Sequence, residues 1–542
     1  MTDVDDRAAQ LGDQGLVDDF QPNAWSRARH RATFLPPLFI LIPALAAAVV
    51  AIAPIWYLID RALSRGAAEV WDEVWQQRTR DLVLRSLALS LTVTIACLVV
   101  GAVAAWLVVR SDLPGRGVLR VVLALPLAIP SYLAAFAWVS WRPSIAGFWG
   151  AALVLTSMSY PFVYLPCVAA LRHLDPAHEE VARSLGRTRT QVALGLTLRQ
   201  VRPALSAGGL LVMLYVLSDF GAVAAMRYEA FTWVIYGAYR AGFNPSRAAI
   251  LASTLVVVAL VLVVLEAMAR GRASARIGAG NARAGRPVAL GRATPLAWLF
   301  IATVLGAAIV FPVGRVVYWV ATFESPSAGF GDVLGALGST LVLAIAAAVA
   351  TVLLAMPVGV LAARHRGRTA QAVEGATYVT HALPGIVIAI SLVFIGVRIL
   401  RPIYLETPLL VLGYVVLFLP LAVGAVRASI EQSPVRLEEV ARSLGSSPRA
   451  VVWRVTVPLA APGIAAAAGL VLLSTMKELP VTLILRPTET QTLATRLWQY
   501  TSISDYASAG PYALALVIFA AIPTAALTII TVRRNSPVGV AP

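Results

Sequence analysis

Residues 179–186 read Glu-Glu-Val-Ala-Arg-Ser-Leu-Gly, and residues 438–445 read the same eight letters again. The two stretches lie 259 positions apart. At that same spacing Pro161 aligns with Pro420, Pro203 with Pro462, Asp219 with Glu478 and Arg227 with Arg486. Unconstrained polar loops drift fastest of all segments. Identity over eight of their positions therefore marks an internal duplication: the chain is two homologous halves.

The surroundings of the repeat decide what kind of halves these are. The 542 residues are 59% hydrophobic and only 13% charged, with a mean hydropathy of +0.78. That is about half the charged fraction of an ordinary soluble domain, so a soluble multidomain enzyme is excluded. A bilayer-crossing helix needs about 20 apolar residues. Twelve runs qualify, near 35–59, 83–109, 118–140, 146–171, 204–226, 248–269, 294–320, 337–363, 373–398, 408–427, 460–484 and 511–532. Six fall in each half, and because six is even the halves share one orientation. The expected fold is an all-α polytopic membrane protein, twelve transmembrane helices in two parallel six-helix repeats. The expected division is a cytoplasmic disordered tail 1–33, a first half 34–269, a basic linker 270–293 and a second half 294–542.

Charge sets the orientation. Arginines collect in the even loops: Arg110 and Arg116, then Arg183 through Arg202, then Arg364, Arg366 and Arg368. Linker residues Arg270, Arg272, Arg276, Arg283, Arg286 and Arg292 have no acid among them. By the positive-inside rule these loops and both termini are cytoplasmic. The net charge of +16 is thus assigned to the membrane surface rather than to nucleic acid. Cys97 and Cys167 lie in apolar runs without metal-ligand spacing, and no metal site is expected.

Each repeat reads as a short surface helix, a glycine break and a second helix. In the second copy Ser433 is the expected N-cap and Pro434 the first helical residue. Glu438 and Glu439 suit the early turns, and Gly445 can take the left-handed conformation that ends the helix. Ser447 and Pro448 then start the next one. Asp175, Pro176, Gly186 and Thr188 repeat the pattern. A rigid, charge-rich, duplicated surface element suits docking to a soluble partner.

This element resembles the EAA loop of ABC-importer permeases, carried here by Glu180-Val181-Ala182 with Gly186 and by Glu439-Val440-Ala441 with Gly445. The downstream part of that motif matches Val455-Thr456-Val457-Pro458. In the first copy, Leu196-Thr197-Leu198-Arg199, the proline is missing. The resemblance implies a type I ABC-importer permease, with Glu179, Glu180, Ala182, Arg183 and Gly186, and Glu438, Glu439, Ala441, Arg442 and Gly445, coupling it to an ATPase. A P-loop needs a lysine after its glycines. The one lysine of the chain, Lys477, sits in an apolar run without that pattern. ATP and magnesium therefore belong to a separate ATPase dimer; no cofactor and no catalytic residue is expected in this chain. The further partners implied are the lipid bilayer of the bacterial inner membrane and an extracytoplasmic solute-binding protein.

Segments 218–243 and 476–500, with Lys477-Glu478-Leu479-Pro480 and Thr492-Leu493-Ala494, are similar to those of ferric-iron permeases of the Fbp/Sfu type. Iron transport is the implied role. Permeases for thiamine, polyamines and aminoethylphosphonate share the architecture and stay open. Asp219 and Glu478 fall about 22 Å into their spans at 1.5 Å per residue. Intramembrane acids default to functional candidates, so the two are candidate translocation-pathway residues. The alternative is a structural salt bridge, Glu478 with Lys477 or an arginine. Arg227 and Arg486 lie just outside, as candidates for docking the binding protein. A secondary carrier is the more distant alternative: it would not need the duplicated loops. An intramembrane enzyme would want clustered catalytic groups, and none is seen.

Overall fold

The computed structural model describes residues 36–64, 66–172, 174, 176–240, 245–270, 287–322, 329–365 and 367–534. The expected tail 1–33 lies outside them, as does most of the linker 270–293. Among the described residues ten helices are long and apolar enough to cross a membrane, and two bent helix pairs bring the number to twelve when each is taken as one span. In chain order they are α1 Leu38–Leu63, α2 Gln77–Arg110, the bent pair α3 Arg116–Ala128 with Ser131–Trp141, α4 Phe148–Arg172, α5 Gly195–Ser218 and α6 Ser246–Leu265. The second half follows with α7 Gly291–Thr322, α8 Phe330–Arg364, the bent pair α9 Arg368–Ala382 with Gly385–Arg398, α10 Thr407–Gln432, α11 Pro448–Met476 and α12 Tyr506–Ala525. Among the described residues there is no strand, only an isolated bridge between Ser111 and Val288.

The runs at 118–140 and 373–398, read from sequence as continuous spans, are broken. Their segments meet at 86° in α3 and 109° in α9. A proline drives the residue before it out of the helical region. Ile129 before Pro130 (φ −88°, ψ 122°) and Leu383 before Pro384 (φ −90°, ψ 122°) are accordingly extended. Both ends of α3 are tied to neighbouring spans. Arg116 Nη1 donates to Ser111 O at 2.8 Å beside the end of α2. At the other end Arg315, late in α7, reaches Ser140 O at 3.3 Å.

Helices α2, α4 and α5 form the core of the first half, and α8, α10 and α11 form that of the second. Glycine permits the closest approaches. A Cβ on Gly101 would lie 2.8 Å from Val163 Cβ, and one on Gly359 2.7 Å from Val426 Cγ1. The first span of each half crosses to the other. Ile40, Ala44, Ala47 and Ala51 of α1 are buried with Ala348, Val352, Val426 and Ala467 of the second half. In return α7 packs on α3, where Phe311 stacks on Trp138 with ring centroids 3.9 Å apart. The halves are thus interlocked rather than merely joined.

Candidate functional site

The two copies of the repeat form short helices, Pro176–Ser184 and Val435–Ser443, on one face of the molecule, called here the loop face. Pro434 rather than Ser433 is the N-cap of the second, and no side chain caps it. The Ser433 hydroxyl instead turns back to Ser429 O, because the segment leaves α10 directly. Gly186 (φ +82°) and Gly445 (φ +85°) take the left-handed conformation, as the sequence predicts. Each ends its helix with a bond from the following residue five positions back, Arg187 N to Ala182 O and Ser446 N to Ala441 O. The next helix then starts on a capping hydroxyl, Thr188 for Gln191 N and Ser447 for Ala450 N, both at 3.3 Å.

The adjacent glutamates of each copy do different things. Glu438 points inward: Arg364 Nε donates to it at 2.9 Å from the end of α8, and Thr456 Oγ1 at 2.9 Å from the start of α11. Arg364 also donates to Ser433 O at 3.1 Å. Glu179 is held in the same way by Arg110 from the end of α2 and by Thr197 Oγ1 at 3.0 Å. The Glu438 side chain is 4% exposed and that of Glu179 25%, so the second clamp is the drier one. Glu180, Arg183, Glu439 and Arg442 face solvent, and Ala182 and Ala441 are half-buried. Sequence reasoning missed the clamping arginines and threonines. It also missed Leu185 and Leu444, which are 78% and 80% exposed, beside exposed Val181 and Val440. Paired apolar side chains left bare on an otherwise charged surface mark an interaction site.

Asp219 and Glu478 do not lie within continuous helices. α5 ends at Ser218 and α11 at Met476; a short helix follows each break, Gly221–Ala225 and Pro480–Leu485. Both acids are buried and cap these helices. Asp219 Oδ1 accepts from Ala222 N at 2.8 Å and Oδ2 from Ser131 Oγ at 2.5 Å. Glu478 Oε1 accepts from Val481 N, and Oε2 from Thr482 N and Oγ1, each at 3.0 Å. Neither of the salt bridges weighed for Glu478 forms: Lys477 Nζ donates instead to Leu127 O, in the break of α3, at 2.6 Å.

A cavity of about 340 Å³ between the halves is lined by both acids, Lys477, Tyr132, Tyr215 and His381. It also reaches Leu211 on α5 and Leu421 on α10, so it extends from the acids toward the loop face. On the far side the halves meet through aromatic rings. Trp498 packs on Phe220 and Phe136 with centroids 5.3 and 5.6 Å away. Of the two candidate docking arginines, Arg227 is exposed and has a positive φ of 52°. Arg486 is half-buried and tied to its own loop, with Thr490 O at 2.8 Å and Gln491 Oε1 at 2.6 Å.

A duplicated, clamped surface helix on a helical bundle of two like halves fits a membrane permease built from two repeats. Comparison with known proteins agrees. Residues 97–271 and again 355–534 match the binding-protein-dependent transport system inner membrane component family, and the chain belongs to it. It is similar to the Fe(3+)-transport system permease protein FbpB 2 of Haemophilus influenzae, 32% identical over 493 residues, covering 90% of this chain and 97% of that protein. The sulfate transport system permease protein CysT of Salmonella typhimurium is 29% identical over 191 residues, 32% of this chain and 69% of its own. The putative 2-aminoethylphosphonate permease PhnU of Salmonella paratyphi A is 27% identical over 214 residues, 35% of this chain and 74% of its own. The chain is an ABC-importer permease fused from two repeats.

Proposed function

We propose that this permease imports ferric iron across the bacterial inner membrane. The observation that carries the reading is similarity to an Fe(3+) permease along nearly the whole of both chains. In this reading the loop face is cytoplasmic, as are both termini. Residues 34–269 and 294–542 are the two halves, joined by the linker 270–293. A separate ATPase dimer carries ATP and magnesium and sits on Val181, Leu185, Val440 and Leu444 with the exposed Glu180 and Glu439. A binding protein delivers the ion at the outer face, where Arg227 is available to its acidic groups. Arg486, held in its loop, supports that docking less. The cavity opening from Asp219 and Glu478 toward the loop face corresponds to an inward-facing state closed outside by Trp498, Phe220 and Phe136.

The clamps supply the mechanism. Each surface helix is bonded to the end of one core span and the start of another. When the ATPase closes, the displacement passes through Glu179 and Glu438 into α2 and α5, and into α8 and α11, not through a loose loop. A second reading, import of 2-aminoethylphosphonate, draws on the PhnU relatives. Vesicles containing the permease, its ATPase and its binding protein separate the two. The iron reading expects ATP-dependent accumulation of labelled ferric iron. Accumulation of labelled aminoethylphosphonate without iron would replace it.

A further inference from the structure

The cavity between the halves is built around one unusual group. Lys477 is the single lysine among 542 residues. It is half-buried, lines the cavity and donates one hydrogen bond, to Leu127 O. An ammonium has three donors, so two remain for something else. The two carboxylates that line the same cavity are each already held. Every oxygen of Asp219 and Glu478 already accepts a backbone or hydroxyl proton. Among the described residues, no three His, Cys, Asp or Glu side chains come together as a metal-ion site. A further lining residue, Tyr132, has a buried hydroxyl without a partner. Two ammonium protons and a phenol hydroxyl are thus left in the cavity without a partner.

The first half makes the same helix break without a lysine. The counterpart of Lys477 there is Ser218, which occupies the equivalent end of α5. The break that Lys477 reaches is matched in α9 by His381, which stands where α3 has Leu127 relative to the following proline. The pseudo-symmetry is thus broken at the centre of the pathway, and broken toward positive charge on one side. Departures from repeat symmetry that add a costly intramembrane charge point to function.

We infer that the cavity recognises its cargo through an oxyanion held by Lys477. The inference rests on the ferric-iron reading and deepens it: the ion passes accompanied by a small carboxylate or phosphate chelator, whose anionic oxygens meet the ammonium. Because Lys477 is unique, its reactivity can be read without interference. The assembled complex is reductively methylated with formaldehyde and borohydride, and the peptide containing residue 477 is followed by mass spectrometry in chloride, citrate and phosphate at equal ionic strength. Citrate or phosphate is expected to slow methylation of Lys477 at least fivefold relative to chloride. Equal rates in all three salts overturn the inference, and so does an amine that never reacts in chloride. The transport arm compares Lys477→Met with Lys477→Arg in vesicles supplied with ferric citrate. Loss of uptake in Lys477→Met, with Lys477→Arg retaining most of it, is the expected pattern. Undiminished uptake by Lys477→Met sinks the oxyanion site and leaves the iron reading intact. Protection of Lys477 in a complex that transports no iron discards iron and keeps the oxyanion site.

Discussion

Arg364, the last residue of α8, donates from Nε to Glu438 Oε1 at 2.9 Å across 74 residues of chain. The pair is dry, and Thr456 closes it from α11. Removing one partner of a buried ion pair strands the other and costs about 3–5 kcal/mol. Glu438→Ala is therefore expected to lower the melting temperature of the permease in detergent and to abolish uptake. Glu439→Ala, one residue away and exposed, is expected to change stability by no more than about 0.5 kcal/mol and to act on ATPase affinity instead. Melting curves and ATPase titrations of the two variants check the contrast; equal effects would refute it.

The acids of the two halves differ by one methylene, and their neighbours compensate. Ser131 donates to Asp219, whereas the residue at the equivalent place after Pro384 is Gly385. A Cβ there would lie 3.0 Å from Glu478 Oε1. Gly385→Ser is expected to push the carboxylate off Val481 N and to destabilise by about 1–3 kcal/mol. Adding Glu478→Asp rebuilds the arrangement of the first half and is expected to recover more than half of the loss. Thermal denaturation of the two single variants and the double variant measures the coupling. Additive losses would show that the two positions are independent.

Trp498 packs on Phe220 and Phe136, the contact proposed to close the far side of the pathway. Aromatic pairs contribute about 0.5–1.5 kcal/mol beyond area burial, so Trp498→Ala removes a sizeable part of that closure. The expected result is ATP hydrolysis raised several-fold without binding protein. Hydrolysis still dependent on binding protein in this variant would locate the closure elsewhere.

Leu185 and Leu444 are nearly bare in the isolated chain. A leucine buried at an interface contributes about 1.5–3 kcal/mol. Replacing both by Asp is expected to weaken ATPase binding by at least tenfold without lowering the melting temperature. Co-purification at graded ATPase concentrations tests this, and unchanged binding would move the docking surface off these helices.

Much of this was legible in the sequence, for local reasons. The repeat, the helix stops at Gly186 and Gly445 and the caps at Thr188 and Ser447 follow from short-range chemistry. Thr197 and Thr456 stand at the repeat spacing, so the repeat itself held the signal for them. The clamping arginines did not align at that spacing, because Arg110 and Arg364 are 254 residues apart, five fewer than the glutamates they hold. Hydropathy reported α3 and α9 as single spans because it is blind to backbone direction; the bend resides in Ile129–Pro130 and Leu383–Pro384. The crossing of α1 and α7 between halves is a long-range packing choice with no local signature. The bonds that Asp219 and Glu478 make to the short helices after them were not legible, because a helix break at either acid leaves no mark in an apolar window.

In the proposed mechanism the two clamped helices carry ATP-driven motion into the membrane. A Cβ at Gly186 or Gly445 meets no neighbour within 4 Å. A Cβ there therefore costs through the left-handed backbone rather than through a clash, at about 1–2 kcal/mol. The direct measurement is labelled ferric iron uptake and ATP hydrolysis, followed together in vesicles, for the natural permease and for Gly186→Val/Gly445→Val. ATP-dependent uptake by the former, and loss of uptake in the latter with the ATPase still bound, are expected. Uptake that persists in the double variant, or that proceeds without any ATPase, would contradict the mechanism.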